Sequence, residues 1–490
     1  MPETSKRAAG TDDAQTVDDA QTDDDAQPVD DVRADNAEPG SPLTPLARIR
    51  QLAAATPAHR DRYLDLLRAL AILVVVLGHW LISAVTVTDG RLSGRNLLYV
   101  VPWLQPLTWL FQVMPVFFLV GGYANAASFA KHRGAGRTSA AWVRSRALRL
   151  LRPTAVLVVV LMVGYGVALA LGADRQTART SVWLAGVALW FLVVYVAVVG
   201  LAPAAIAWQR HWGTAGVLAA LVVIVGAGDV ARLVTGSDVP AIGNYIVGWL
   251  AVHQLGVAWR DGVLTRTRRP AYALAVGGAL AAAALVAFGP YGMTMVGAVP
   301  RPDLGNSDPP TLALLALAAM QTGVVLLLRP PVGPWLQRPR VWRTVVGVNA
   351  VILTIFLWHM VAVVIAGVSL IATGLFPRPE VGSGEWFAMR IPWFVVLAVL
   401  LAVLVAIFAR FETAALRRRE PAPSGVVVGV GVVTCVAALA GIGVTGSEGL
   451  LPPVGGLPLG ELAVFGVGLA LVWWAGAPRE VASPDSTRPQ

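Results

Sequence analysis

Two ionisable residues stand inside the apolar stretch LLRALAILVVVLGHWLIS, and their types suit anion binding and proton transfer. Arg68 and His79 are separated by ten residues. On a helix this spacing is roughly 16 Å along the axis, at ~1.5 Å per residue, and close to three full turns, so both side chains project from nearly the same face. An ionisable side chain in a membrane helix costs roughly 2.5–3.5 kcal/mol on insertion scales and commonly marks a pathway or a site. We therefore expect one helix to line a single polar channel, with a cation near one membrane surface and an imidazole near mid-membrane.

A second group of cations begins another apolar run, in the stretch WVRSRALRLLRP. Arg149 and Arg152 are three residues apart and share a helix face, and guanidinium groups bind phosphates in a bidentate, permanently charged manner. We expect this pair to bind an anionic ligand. Arg144 and Arg146 are more readily explained as anchors that hold a helix end at the membrane surface.

A third feature is the stretch ILTIFLWHM, which places His359 beside Trp358 in the middle of a further apolar run. Two interpretations of His359 stay open, a packed and hydrogen-bonded side chain or a residue that contacts a ligand. His253 has no motif around it and is interpreted as structural. Asp65, three residues before Arg68, either pairs with that arginine or is an ordinary acid at a helix start.

The composition requires that membrane helices position these side chains. Of the 490 residues, 56% are hydrophobic and 14% are charged, whereas an ordinary soluble domain has about 25% charged residues. The predicted fold is therefore all-α and polytopic, with about ten core transmembrane helices and two C-terminal ones. Junctions that are charged or rich in Pro or Gly separate twelve segments of sufficient length. They lie at 65–87, 107–130, 151–172, 184–207, 213–235, 241–259, 271–289, 311–328, 345–373, 387–409, 424–446 and 459–476.

The charges of the loops predict the orientation, because Lys and Arg concentrate on the cytoplasmic side of a membrane protein. Alternate loops are rich in these residues, which predicts a multi-pass protein of the cell membrane with both termini cytoplasmic. The loops predicted to be cytoplasmic contain Lys131, Arg133, Arg137, Arg144, Arg146, Arg149, Arg210, Arg260, Arg266, Arg268, Arg269, Arg338, Arg340, Arg343, Arg410, Arg417, Arg418 and Arg419.

The ends of the chain differ from this apolar region. Residues 1–40 hold twelve acidic against three basic residues, and the tetrapeptide DDAQ recurs at 12, 18 and 24, a composition that cannot bury enough surface to fold. We predict four regions, a disordered acidic cytoplasmic tail at 1–58, a membrane domain at 62–410, two additional transmembrane helices at 424–476 and a polar tail at 477–490. The single cysteine, Cys435, excludes an intramolecular disulfide and a cysteine-based metal cluster, and we predict no metal site.

Five motifs, taken in order, resemble those of the acyltransferase 3 family of integral-membrane acyltransferases. RYLDLLRALAILVVVLGHW resembles the family's opening motif, in which an arginine and a histidine stand ten residues apart. VMPVFFLVGGYANAASF is similar to its second-span pattern, although Gly121 stands where serine is usual. RSRALRLLRP resembles its arginine pair, ALWFLVVYVAVVGLAP its Trp-Phe-Leu span and FLWHM its late aromatic-histidine span. The resemblance covers roughly residues 62–410.

This resemblance implies a reaction and assigns roles to residues. The family transfers acyl groups to sugars, glycolipids, polysaccharides and macrolides, which implies a cytoplasmic acyl-CoA donor, a sugar, glycolipid or polysaccharide acceptor, no tightly bound cofactor and no nucleic-acid partner. A histidine has a near-neutral intrinsic pKa and suits the role of general base toward an acceptor hydroxyl. The residues with expected roles are His79 and Arg68 in catalysis, Arg149 and Arg152 in donor binding, and His359, Trp358 and Tyr123 in substrate binding.

Two other classes of function stay open at this stage. A polytopic transporter or lipid exporter commonly has twelve spans with both termini inside, but we find no repeat of LRALAILVVVLGHW in the second half of the chain. A non-catalytic membrane scaffold would use Arg68 and His79 as a structural polar pair. The acceptor, the acyl chain length and the membrane side on which transfer occurs do not follow from the sequence.

Overall fold

The computed structural model describes residues 45–57, 60–88, 91–297, 304–413, 423–445 and 458–475. The described part of the predicted acidic tail contains a helix, α1, at Pro45–Ala54, which packs against α13. Disorder is therefore the wrong prediction for that part. The rest of the acidic repeat and the polar tail at 477–490 lie outside the described residues.

The described residues before Leu189 form seven helices and one hairpin. Helix α2 begins at Asp61, whose carboxylate accepts hydrogen bonds from the backbone N–H groups of Tyr63 and Leu64 at 3.0 and 3.3 Å. The elements that follow α1 are α2 (Arg62–Ile82), β1 (Ser83–Thr88), β2 (Arg91–Asn96), α3 (Leu97–Val100), a 3₁₀ turn (Pro102–Leu107), α4 (Thr108–Phe111), α5 (Met114–Gly134), α6 (Ser139–Ala170) and α7 (Arg175–Ala185).

The remaining elements of the described chain are helical. The 47-residue α8 bends at Gly213, whose φ of 71° is open to glycine and unfavourable for other residues. These elements are α8 (Leu189–Thr235), a 3₁₀ turn (Val239–Ala241), α9 (Asn244–Arg260), α10 (Arg269–Tyr272), a π turn (Ala273–Gly277), α11 (Gly278–Phe288), α12 (Leu312–Leu336), α13 (Pro339–Asn349), α14 (Ile352–Ala366), a π turn (Gly367–Ile371), α15 (Gly384–Thr413), α16 (Gly425–Thr445) and α17 (Leu459–Trp474).

The predicted all-α polytopic fold is confirmed. Among the described residues, nine helices are long and apolar enough to cross a membrane. One of these is α8. The bend at Gly213 divides α8 into two parts, which correspond to the fourth and fifth predicted spans. The sixth and twelfth predicted spans correspond to the shorter helices α9 and α17.

Two predicted boundaries are wrong for local physical reasons. The first span ends at Ile82, not 87, because the alternating β-branched residues of SAVTVT favour a strand, which pairs with β2. The ninth predicted span, 345–373, is divided into α13 and α14. The Glu412 carboxylate caps the start of α14 at Ile352, since it accepts hydrogen bonds from the backbone N–H groups of Leu353 and Thr354 at 3.1 and 2.8 Å.

A buried ion pair fixes the start of α2 and corrects one interpretation of Asp65. Its carboxylate binds the Arg60 guanidinium in a bidentate manner, at 2.6 and 3.0 Å, and the two side chains are 5% and 2% exposed. Asp65 therefore pairs with Arg60 and does not direct Arg68. The Asp65 carbonyl oxygen also accepts a hydrogen bond from Asn349, which ties α2 to α13.

Removal of one partner from this pair is expected to destabilise the protein strongly. Asp65→Ala leaves an uncompensated buried guanidinium, which should lower the free energy of unfolding by about 3–5 kcal/mol. Unfolding of the purified protein in detergent measures this change. The matched control is Asp261→Ala, which removes a pair whose side chains are about one-third exposed and should cost less than about 1 kcal/mol. Equal losses in the two variants would contradict the structural role of Asp65.

Candidate active site

The two histidines of the predicted motifs form a direct contact between α2 and α14. Nδ1 of His79 lies 2.8 Å from Nε2 of His359, and the two rings are nearly parallel, with centroids 5.1 Å apart and an interplanar angle of 9°. His359 is fully buried, whereas His79 is partly exposed. The indole N–H of Trp80 donates to the His359 carbonyl oxygen at 3.1 Å and holds the two helices together at this level.

The backbone of α14 determines which nitrogen of each neutral ring has the proton. Nδ1 of His359 lies 2.5 Å from the carbonyl oxygen of Phe356. A carbonyl oxygen can only accept, so Nδ1 of His359 is protonated and its Nε2 has the lone pair. The N–H at Nδ1 of His79 then donates to this lone pair, which leaves the lone pair of His79 on Nε2. This arrangement suits His79 to the role of a general base.

His79 lines a cavity of about 1220 Å³. Its walls come from the second half of α2, the strand hairpin and the segment that follows it, α6, α7, the first part of α8, the start of α9, α14 and α16. Most lining side chains are apolar, and polar ones such as Arg95, Asn96 and Asp308 lie toward the hairpin. Small-molecule sites commonly enclose about 300–1,000 Å³, so this cavity is large enough for a substrate beside His79.

Three arginines of α2 and α6 lie within electrostatic range of the hydroxyl group of Tyr195. Arg68, Arg146 and Arg149 all lie close enough to act electrostatically on that hydroxyl, which is also hydrogen-bonded to Asn125 of α5. Arg68 and Arg149 thus lie in one cluster, as the anion-site hypothesis requires. Arg146, interpreted from sequence as an anchor, belongs to the same cluster. We call these three residues the arginine cluster.

Arg152 and Arg144 contact the last described helix. The Arg152 guanidinium lies over the ring of Trp473 at 5.7 Å from its centroid, a cation–π contact. Arg144 donates to the carbonyl oxygens of Val472 and Trp473 at 3.0 and 2.7 Å. The expected common ligand of Arg149 and Arg152 stays a prediction, since the structure places Arg152 against α17.

Aromatic side chains separate the arginine cluster from the cavity. Phe191 lines the cavity on one side and stacks on Tyr195, with centroids 5.5 Å apart and an interplanar angle of 22°. Phe356 packs edge-on against Phe191 at 4.9 Å. Among the described residues that line the cavity, none belongs to the arginine cluster. In this conformation Phe191 of α8, packed against Phe356 of α14, lies between Tyr195 and the cavity, and the expected continuous polar channel from Arg68 to His79 stays a prediction.

The other predicted substrate-binding residues lie behind the cavity wall. Tyr123 is buried and packs edge-on against Trp259 of α9 at 5.2 Å. Trp358 stacks on Phe408 of α15 with centroids 3.7 Å apart. Neither residue lines the cavity. His359 does not line it either, but it contacts His79, which does. Contact of these residues with a substrate stays a prediction.

Sequence reasoning missed two residues that matter to the site. Tyr195 lies within electrostatic range of all three residues of the arginine cluster, and Phe191 forms part of the cavity wall. Both belong to the stretch ALWFLVVYVAVVGLAP, which was noted only for its resemblance to a family motif. They are four residues apart and therefore share one helix face, and this spacing was the available signal.

The comparison with known families agrees with this geometry. Residues 61–410 match the model of a family described as an acyltransferase domain, Acyl_transf_3. Neither a search of curated proteins nor a search of solved structures gave a match. The match begins at the cap of α2, ends within α15 and includes both histidines and the whole arginine cluster. Because it covers more than two thirds of the chain, the protein belongs to the acyltransferase 3 family and is a polytopic membrane acyltransferase.

Proposed function

We propose that the protein is an O-acyltransferase that moves an acyl group from acyl-CoA to a hydroxyl group of a sugar, glycolipid or related acceptor, with His79 as the general base. The observation that carries this proposal is the contact between His79 and His359 at the wall of the cavity. It gives a substrate-sized space next to an imidazole whose free lone pair is fixed by the protein. The match to an acyltransferase family favours this enzyme over a transporter.

The arginine cluster suits the phosphates of the donor. Arg68, Arg146 and Arg149 bring three permanent positive charges within electrostatic range of the Tyr195 hydroxyl, and the charge-assisted hydrogen bonds of guanidinium to phosphate are among the strongest in proteins. The distribution of Lys and Arg in the loops supports the proposal that this end of the bundle, together with both termini, lies on the cytoplasmic side of the cell membrane. Acyl-CoA of the cytoplasm is then the donor substrate.

The proposed reaction needs one proton acceptor and one leaving group. Nε2 of His79 takes the proton of the acceptor hydroxyl as its oxygen attacks the thioester carbonyl carbon. The tetrahedral intermediate then collapses, the carbon–sulfur bond breaks, and the departing CoA thiolate takes the proton back from the His79 imidazolium. The products are an O-acyl ester and free CoA. His359 accepts the hydrogen bond from Nδ1 of His79 throughout and so stabilises the imidazolium.

The donor must reach His79 past the aromatic wall. Phe191, packed against Phe356, lies between Tyr195 and the cavity, so both rings have to move when the pantetheine arm of acyl-CoA enters. Such a movement is local, in contrast to the loop and domain closures of many enzymes.

Transfer of label tests the reaction directly. Membranes that contain the protein receive acyl-CoA labelled with ¹⁴C in the acyl group, and the lipid and glycan fractions are analysed for covalent label. The proposal expects an ester whose label is released by mild base. Label that stays in CoA or appears only as free acid would overturn it, and solute movement without acylation would favour a transporter.

A variant of His359 tests its role as a positioning residue. His359→Ala removes the acceptor for Nδ1 of His79, so kcat should fall about 10–100-fold, while KM for acyl-CoA stays within about twofold. The acidic limb of the pH profile should move to lower pH, because protonated His79 loses its partner. His359→Gln, whose amide oxygen can accept, should restore part of the rate. A kcat and pH profile equal to those of the exposed control His211→Ala would contradict the role.

A further inference from the structure

Helix α16 forms one wall of the cavity that contains His79, although it lies beyond the matched acyltransferase region. The match ends at residue 410, and α16 runs from Gly425 to Thr445. Its side chains at Val436, Leu439, Ala440 and Ile442 line the cavity. A segment that is additional to the family domain therefore completes the space next to the candidate base.

This wall is held firmly in place. Helix α16 packs along α8, α6 and α17. At the crossing with α17, a Cβ atom on Gly468 would lie 2.8 Å from the backbone nitrogen of Cys435, so the two backbones approach as closely as only glycine allows. The Cys435 thiol donates to the Phe465 carbonyl oxygen at 3.8 Å. The Arg144 and Arg152 contacts fix the far end of α17 against α6.

The opposite wall is also apolar. Val158 and Leu161 of α6 and Val194 and Ala197 of α8 line the cavity with α16, whereas Arg95 and its polar neighbours lie toward the hairpin. Apolar walls around a large cavity favour hydrocarbon over a free sugar, because they leave hydroxyl groups without hydrogen-bond partners. A volume of about 1220 Å³ exceeds the usual range of about 300–1,000 Å³ for compact ligands.

We propose that this cavity holds a long hydrocarbon chain and that α16 limits the chain length that the enzyme accepts. The chain is either the acyl group of the donor or the lipid tail of the acceptor, and both would lie beside His79. The role of α16 in selecting substrates rests on the proposed acyl transfer, whereas occupation of the cavity by hydrocarbon can be measured without it.

Two alanines on α16 provide a test and its matched control. Ala440 lines the cavity, whereas Ala437 is exposed on the outer face of the same helix. Ala440→Phe therefore places a ring in the cavity, while Ala437→Phe adds the same ring outside it.

The test measures transfer by the full-length protein in two substrate series. In the first, acyl-CoA donors of 2, 8 and 16 carbons are used with octyl glucoside as acceptor. In the second, octyl, dodecyl and hexadecyl glucosides are used with acetyl-CoA. Ala440→Phe should lower kcat/KM for the longest member of one series about tenfold or more relative to the shortest, and Ala437→Phe should leave the ratio within about twofold.

The series that changes identifies the source of the chain. A change in the acyl-CoA series assigns the cavity to the donor, and a change in the glucoside series assigns it to the acceptor. If Ala440→Phe lowers all members of both series equally, or none, selection of chain length by α16 is overturned.

A labelling experiment separates this inference from the proposed reaction. The probe is palmitic acid with a photoreactive diazirine at its chain end, applied to the wild type and to His79→Ala. Met360 lines the cavity, so its labelling reports occupation of the cavity. Label on Met360 that Ala440→Phe abolishes supports the inference even if no transfer is found. Absence of this label in a protein that does transfer acyl groups overturns it.

Discussion

Replacement of His79 with alanine is expected to lower the rate of acyl transfer about 10²–10⁴-fold and to leave the fold intact. This range is the usual contribution of a positioned general base. His79 is partly exposed to the cavity, and its removal costs the protein one hydrogen bond, that to His359. The measurement is the initial rate of transfer from labelled acyl-CoA, together with the melting temperature of the purified protein.

A second variant and a control make this result specific. His79→Phe keeps most of the ring volume next to His359 but has no lone pair, so it should be as inactive as His79→Ala. His211→Ala changes an exposed histidine of α8 and should keep the wild-type rate. Turnover within about tenfold of wild type in either His79 variant would remove the assigned role.

Loss of the arginine cluster is expected to weaken donor binding by a similarly large factor. Hydrogen bonds to charged groups contribute about 1.5–3 kcal/mol each, so Arg149→Ala should raise KM for acyl-CoA roughly 10–100-fold, and Arg68→Ala combined with it should raise KM further. Saturating acyl-CoA should recover most of kcat, because the lost contacts bind the ground state and the transition state alike. Arg149→Lys should recover only part of the affinity, since an ammonium group lacks the bidentate fork.

The control for the cluster is a cation outside it. Arg133 is exposed at the end of α5 and donates to the Arg137 carbonyl oxygen, so Arg133→Ala should leave KM within about twofold. A rise in KM that is equal in Arg133→Ala and Arg149→Ala would show that general surface charge, and not this cluster, attracts the donor. An unchanged KM in the Arg68 and Arg149 double variant would place the donor elsewhere.

The sequence predicted the helices well because hydropathy is a local property. Each predicted span lies in helical structure, although two spans share α8 and one is divided between α13 and α14. The errors in the predicted span boundaries arise where another interaction competes with hydropathy. The strand β1 replaces the end of the first span because SAVTVT alternates β-branched residues. The break before Ile352 depends on Glu412, which is 60 residues away in sequence, and no pattern near residue 350 indicates it.

The candidate site was predictable residue by residue but not as an assembly. His79 and His359 were each singled out, yet their contact joins residues 280 apart and depends on how α2 packs against α14. Helix periodicity predicts that Arg149 and Arg152 share a face. It does not predict that Arg149 lies within electrostatic range of Tyr195 or that Arg152 lies over the ring of Trp473, because the neighbours of a helix face are set by tertiary packing.

The position of the Phe191 ring affects how much of the thioester would be lost to hydrolysis by water. A thioester is slowly destroyed by water, and an enzyme that holds one in an open, wet passage hydrolyses it without any useful product. Under the proposed function, Phe191 and Phe356 stand between the charged end of the donor and the space beside His79 in the resting protein. We therefore expect the activated acyl group to be shielded from futile hydrolysis until these rings turn aside.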